Sequence, residues 1–160
     1  MIPRRLFAPE HEEFRASFRR FLEKEVIPQH EAWEERGYVD REVWAKAGAN
    51  GFLCPSMPEQ YGGAGADRLY SLVMMEETAK ARTSGLGFSL HSEIVAPYIL
   101  RYGSDEQKQR LLPRMARGED PFADYPHAVA FTDMIKVRGA LLEPYKHVEY
   151  IHRWYPDAYF

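Results

Sequence analysis

PEQYGGAGAD, residues 58–67, decides the fold, because three glycines within ten residues serve two opposite architectures. Behind a buried strand and opening a helix, such a run would hold a dinucleotide pyrophosphate, with an acid about 20 residues further on. Here the preceding LCPSMPEQ, residues 53–60, holds two prolines and is no central strand. A phosphate loop of the NTPase type needs a lysine and a Ser or Thr after its last glycine, whereas this run continues Ala66-Asp67-Arg68. The stretch reads as a tight turn into a helix capped by Asp67.

Helical periodicity runs outward from that turn in both directions. Upstream, Pro9 suits a first helical position and Glu10, Glu12 and Glu13 favour the positive end of the helix dipole. Phe14, Phe18, Phe21 and Leu22 then recur at helical spacing, with Arg15, Arg19, Arg20, Glu23 and Lys24 on the other faces. Pro28 should kink or end the regular part, and HEAWEER carries a helix on to Gly37. Asp40 is an N-cap for REVWAKAGANG, whose stripe is Val43, Trp44 and Ala47 and whose stop is Gly51.

Downstream, RLYSLVMMEETAKAR places Leu69, Leu72, Val73, Glu76 and Ala79 on one face. In HSEIVAPYILRYG, His91, Ile94, Val95, Tyr98, Ile99 and Tyr102 share a face despite Pro97. Gly103 closes that helix, and Ser104 with Gln107 forms a capping box for DEQKQRLLPRMARG, which Gly118 ends. The expected fold is an all-α, up-and-down helical bundle of about five helices. Its core should hold Phe14, Phe18, Phe21, Trp44, Leu72, Val73, Ile94, Val95, Tyr98, Ile99 and Leu112.

Residues 120–160 differ in composition. They carry nine of the 22 aromatic residues and one glycine, Gly139. HAVAFTDM could be a strand and MIKVRGALLEPY a short helix. The domain division expected is therefore 1–119, helical, and 120–160, a divergent aromatic-rich tail.

Composition narrows the function classes. The 160 residues suit one ordinary domain, and 45% hydrophobic with 28% charged residues is globular. A net charge of -3 gives no electrostatic footing for nucleic acid. A single cysteine, Cys54, cannot form an internal disulfide and suits a reducing compartment. No apolar run reaches membrane-spanning length, and the start, MIPRRLFAPEHEEF, reads neither as a secretory signal nor as a transit peptide. The expectation is a cytoplasmic protein.

Candidate chemistry is sparse. His91 lies on an apolar face near Ser89 and Ser92, where a hydrogen-bonded core histidine is the bland reading and a pocket role the sharp one. Glu76 and Glu77 are adjacent, so they point about 100° apart on a helix and cannot act as one acid/base pair. Glu76, nearer the apolar stripe, is a candidate buried salt-bridge partner. Cys54 has no base nearby in sequence and reads as a half-buried structural thiol, and Met74 and Met75 read as core fillers. His147 and His152, five apart, fit no helix-face or strand-face pair and predict no metal site.

The order of motifs goes further. FRASFRRFLEKEVIP, REVWAKAGANGFL, MPEQYGGAGAD and GFSLHSEIVAPYILRYGSDEQKQRLLPRMARGE together resemble the N-terminal helical domain of acyl-CoA dehydrogenases. GFSLHSEIVAPYI is most similar to the long-chain branch of that flavoprotein family. The resemblance covers about residues 2–119. It implies a three-domain oxidoreductase of fatty acid metabolism, with N-terminal helices, a middle β-domain and a C-terminal four-helix bundle, usually tetrameric. It also implies FAD in the full-length family, an acyl-CoA substrate, a glutamate base in the C-terminal part and electron transfer to an electron-transfer flavoprotein. The N-terminal helices would supply packing and part of the acyl-chain wall, and by that analogy the substrate-binding candidates are Phe88, His91, Ile94 and Val95.

The resemblance stops after Glu119. The family would continue into Thr-Glu-Pro and Gly-Ser-Asp motifs, and here the sequence reads DPFADYPHAVAFTDMIKVRGA. No catalytic and no flavin-binding residue therefore carries over, and neither FAD nor catalysis is expected of this chain alone. The tail is open to three origins: a frameshift or fusion, a shortened descendant, or a deliberate join. The alternative function is a non-catalytic helical module that binds an acyl chain or a partner subunit. An apolar patch left exposed would favour self-association.

Overall fold

The computed structural model describes residues 6–37 and 39–119, which lie within one compact unit, Met1–Pro121. The strand and helix expected in the tail, with His147 and His152, fall outside the described residues. Among the described residues every regular element is helical.

The first helix, α1, spans Pro9–Phe21 and opens with the expected proline and acids. Its buried stripe is His11, Arg15, Phe18 and Phe21, so Arg15, expected on an outer face, turns inward. One π-turn, Leu22–Val26, joins α1 to α2, Ile27–Arg36. The Ile27 N–H bonds to the Leu22 carbonyl, five residues back. That wider turn admits Pro28, whose ring would collide with the carbonyl four residues earlier in an unbroken α-helix. Of the kink or end expected at Pro28, the chain thus shows a widened turn, and the helix runs on to Arg36.

The third helix, α3, is Arg41–Ala49. Asp40 occupies its N-cap position, but its carboxylate accepts instead from Trp33 Nε1 at 2.8 Å and Arg36 Nη2 at 2.5 Å. After the glycine turn comes α4, Arg68–Ala81, followed by a single turn α5, Phe88–Leu90. A second π-turn, His91–Val95, leads into α6, Ala96–Tyr102, and α7 is Asp105–Ala116. Ser104 and Gln107 form the expected capping box at the start of α7: the Gln107 amide donates to Ser104 Oγ, and the Ser104 amide to Gln107 Oε1.

Two apolar clusters hold the helices. Phe18, Phe21, Leu22, Val26, Trp33, Val43, Phe52 and Phe88 make the larger, with Phe52 edge-on to Phe14 and Phe18 at 5.5 and 5.1 Å. Cys54, Met57, Tyr61, Ala96, Leu112 and Met115 make the smaller. Of the expected core, Phe18, Phe21, Val73 and Leu112 are buried, while Phe14, Trp44, Leu72, Val95 and Ile99 are half-buried. Ile94 and Tyr98, both 59% exposed, stand outside it. The buried residues of α4 are Ser71, Val73, Met74 and Glu77, so the helix is turned from the expected Leu69–Leu72–Glu76 face and Glu77, not Glu76, is the deeply buried acid.

Asp67 does cap α4, accepting the Leu69 N–H at 2.8 Å, and its two oxygens also face His11 Nε2 at 3.3 Å. The Ala8 N–H donates to His11 Nδ1 at 3.0 Å, which leaves the ring proton on Nε2, aimed at Asp67. One carboxylate thus ties the start of α1 to the start of α4. Asp67→Ala should lower stability by about 0.5–2 kcal/mol in urea unfolding, the range for a lost N-cap. An unchanged midpoint would contradict this dual role.

Candidate functional site

The glycine turn binds itself. Its Gly62 amide donates to the Glu59 carbonyl, Gly65 to Met57, and Ala64 and Ala66 both to Pro55. Gly62 has φ +85°, and a side chain at Gly63 would overlap the Met57 carbonyl. Four of the turn's amides are thus committed inward and are not free to cradle a phosphate. The turn does not suit a flavin phosphate.

The four candidate substrate-binding residues straddle the second π-turn and face different ways. Phe88 is buried, its ring edge-on to Trp44 at 4.8 Å and 6.4 Å from Phe21. His91 shares Trp44, ring to ring at 5.1 Å. Val95 packs half-buried against the smaller cluster, and Ile94 faces away from both clusters, exposed. The π-turn sets this divergence. The Ala96 N–H reaches five residues back to His91, so the residues after it are rotated from where an α-helix would put them. Ile94, Tyr98 and Tyr102 line an exposed edge, with the two tyrosine rings 4.8 Å apart.

The fold also assembles a group that local sequence could not reveal. Cys54 Sγ lies 3.9 Å from His91 Nδ1, which is 3.2 Å from Ser92 Oγ, and the Cys54 N–H donates to that same hydroxyl at 3.0 Å. These residues are 37 and 38 apart, so no spacing rule links them. Cys54 holds a left-handed backbone, φ 50°, that such an anchor helps to maintain.

Cys, His and Ser in contact suggest nucleophilic chemistry, and the electrostatics oppose it. Burial pushes the Cys54 thiol up to about 12, against the Ser92 hydrogen bond, and burial pushes His91 down to about 4. Both shifts favour the neutral pair, whereas a reactive thiolate needs a depressed thiol beside a cation. The cluster fastens the 54–57 turn to the π-turn. Cys54 is expected to react with Ellman's reagent at pH 8 only once denaturant unfolds the chain; rapid stoichiometric labelling of the native protein would contradict this.

Open space near these residues is small. A cavity of about 10 Å³ lies among Ser71, Met74, Phe88, Ser89, Ser92 and Glu93, where Ser71 Oγ donates to Glu93 Oε1 at 2.6 Å. A shallow groove of about 240 Å³ runs between the first π-turn and α4, bordered by Arg19, Glu23, Glu77 and Lys80 over Leu22 and Ile27. Among the described residues no cluster of His, Cys, Asp and Glu could hold a metal ion, and no helix is long and apolar enough to cross a membrane.

Comparison with known proteins agrees with this geometry. Residues 8–119 match the family described as acyl-CoA dehydrogenase, N-terminal domain. The chain is 49% identical over 116 residues to the mitochondrial long-chain specific acyl-CoA dehydrogenase of Rattus norvegicus, a match spanning 72% of this chain and 27% of that protein. Among solved structures it is similar to an acyl-CoA dehydrogenase from Geobacillus kaustophilus, with 51% identity, a TM-score of 0.69, and 73% of this chain and 31% of that one covered. It is also similar to the Bacillus anthracis acyl-CoA dehydrogenase complexed with FAD, at 28% identity and a TM-score of 0.66, covering 74% and 21%. The chain therefore spans under a third of the length of these relatives. Residues 8–119 match that N-terminal domain, and the chain belongs to the acyl-CoA dehydrogenase family.

Proposed function

We propose that residues 8–119 serve as the N-terminal helical wall of an FAD-dependent oxidoreductase that introduces an α,β double bond into long-chain acyl-CoA thioesters. The observation that carries this reading is the 49% identity, over 116 residues, to a relative specific for long-chain substrates. The open edge Ile94–Tyr98–Tyr102 supports it, because an acyl-chain wall needs apolar side chains that the domain's own core does not consume. In this reading residues 1–119 are the working domain. Flavin and catalytic base come from outside the described residues, and an electron-transfer flavoprotein takes the electrons. The chain alone does not catalyse the reaction, and its unpaired Cys54 suits the cytoplasm.

Free-standing acyl binding is the weaker reading. The 10 Å³ cavity beside Phe88 approximates one water, and the larger groove is bordered by charge. Two measurements test the proposal. Exchanging residues 8–119 into a long-chain relative should preserve bound FAD and long-chain acyl-CoA-dependent dye reduction; a folded chimera lacking both would overturn it. The chain by itself should purify without FAD and reduce no dye, and either activity would refute the assignment of catalysis elsewhere.

A further inference from the structure

We draw no further inference here: the strongest candidate, the exposed apolar edge of the second π-turn and α6 formed by Ile94, Tyr98 and Tyr102, carries none because nothing in the structure shows what covers it.

Discussion

Gly118→Ala is expected to cost about 4 kcal/mol, combining backbone overpacking with a left-handed conformation. Gly118 follows α7 at φ +70°, and a Cβ there would overlap the Trp44 carbonyl and come within 3.0 Å of the Ala45 amide. Both belong to the backbone of α3, so no side-chain rotation relieves the contact. The approach is reciprocal, since a Cβ on Gly48 would overlap Arg117 and reach the Gly118 amide at 2.7 Å. Two helices that meet main chain to main chain can separate only by opening the core between them. Gly37→Ala is the control: φ is +83° but nothing lies within 4 Å, leaving only the conformational cost of about 1 kcal/mol. Urea unfolding of the two variants separates contact from strain. Equal losses would mean that α3 and α7 do not approach as described. With total stabilities of about 5–15 kcal/mol for such domains, the Gly118 variant could approach the unfolding threshold.

Where one periodicity governs a helix, the sequence suffices. Phe18, Phe21 and Leu22 are buried as their spacing predicts, and Ser104 with Gln107 caps α7 as the motif predicts. The misreadings arise where that condition fails. A π-turn bonds five residues back, so a strict helical count carried through His91–Val95 assigned Ile94 and Tyr98 to the core when they lie outside it. Pro97 announced an irregularity there without specifying which kind, and Pro28 did the same after the first π-turn. In α4, Leu69, Leu72 and Met75 compete with Tyr70, Val73 and Met74, so apolar residues occupy several faces and leave the helix phase open. Arg15, about sixty residues earlier, resolves it by drawing Glu77 inward. For the candidate site, the glycine turn could be read directly. The Cys54–His91–Ser92 group could not, because its members meet only through the packing of the turn on the π-turn.

That inward-drawn acid makes Glu77→Ala the second large effect, an expected loss of about 3 kcal/mol, the lower end for breaking a buried ion pair. Glu77 is 3% exposed and accepts from Arg15 Nη1 at 3.0 Å, Arg19 Nε at 2.7 Å and Lys80 Nζ at 2.6 Å. Burial by itself would raise its pKa; the hydrogen bonds from Arg19, Lys80 and Arg15 outweigh that and hold it down to about 2, from an ordinary 4.5. Removing the carboxylate leaves the buried Arg15 with Glu76 at 2.8 Å and Glu12 at 3.1 Å, which keeps the cost from reaching the upper end. The folded pKa lies below the unfolded one, so Glu77's stabilisation is complete above pH 4.5 and fades as pH falls toward 2. Glu25, lowered by hydrogen bonds from Lys46 and Lys24, titrates in the same direction. The acid-dependent loss should therefore shrink in Glu77→Ala without vanishing. Replacing both partners, Arg15→Met with Glu77→Leu, should recover most of the lost stability, because an apolar pair carries no desolvated charge. Urea midpoints at pH 7 and pH 3 for wild type, Glu77→Ala, Arg15→Met, Glu77→Leu and the double variant decide the matter. A double variant no more stable than Glu77→Ala would show that the ion pair itself, rather than the avoidance of an orphaned charge, holds α1 against α4.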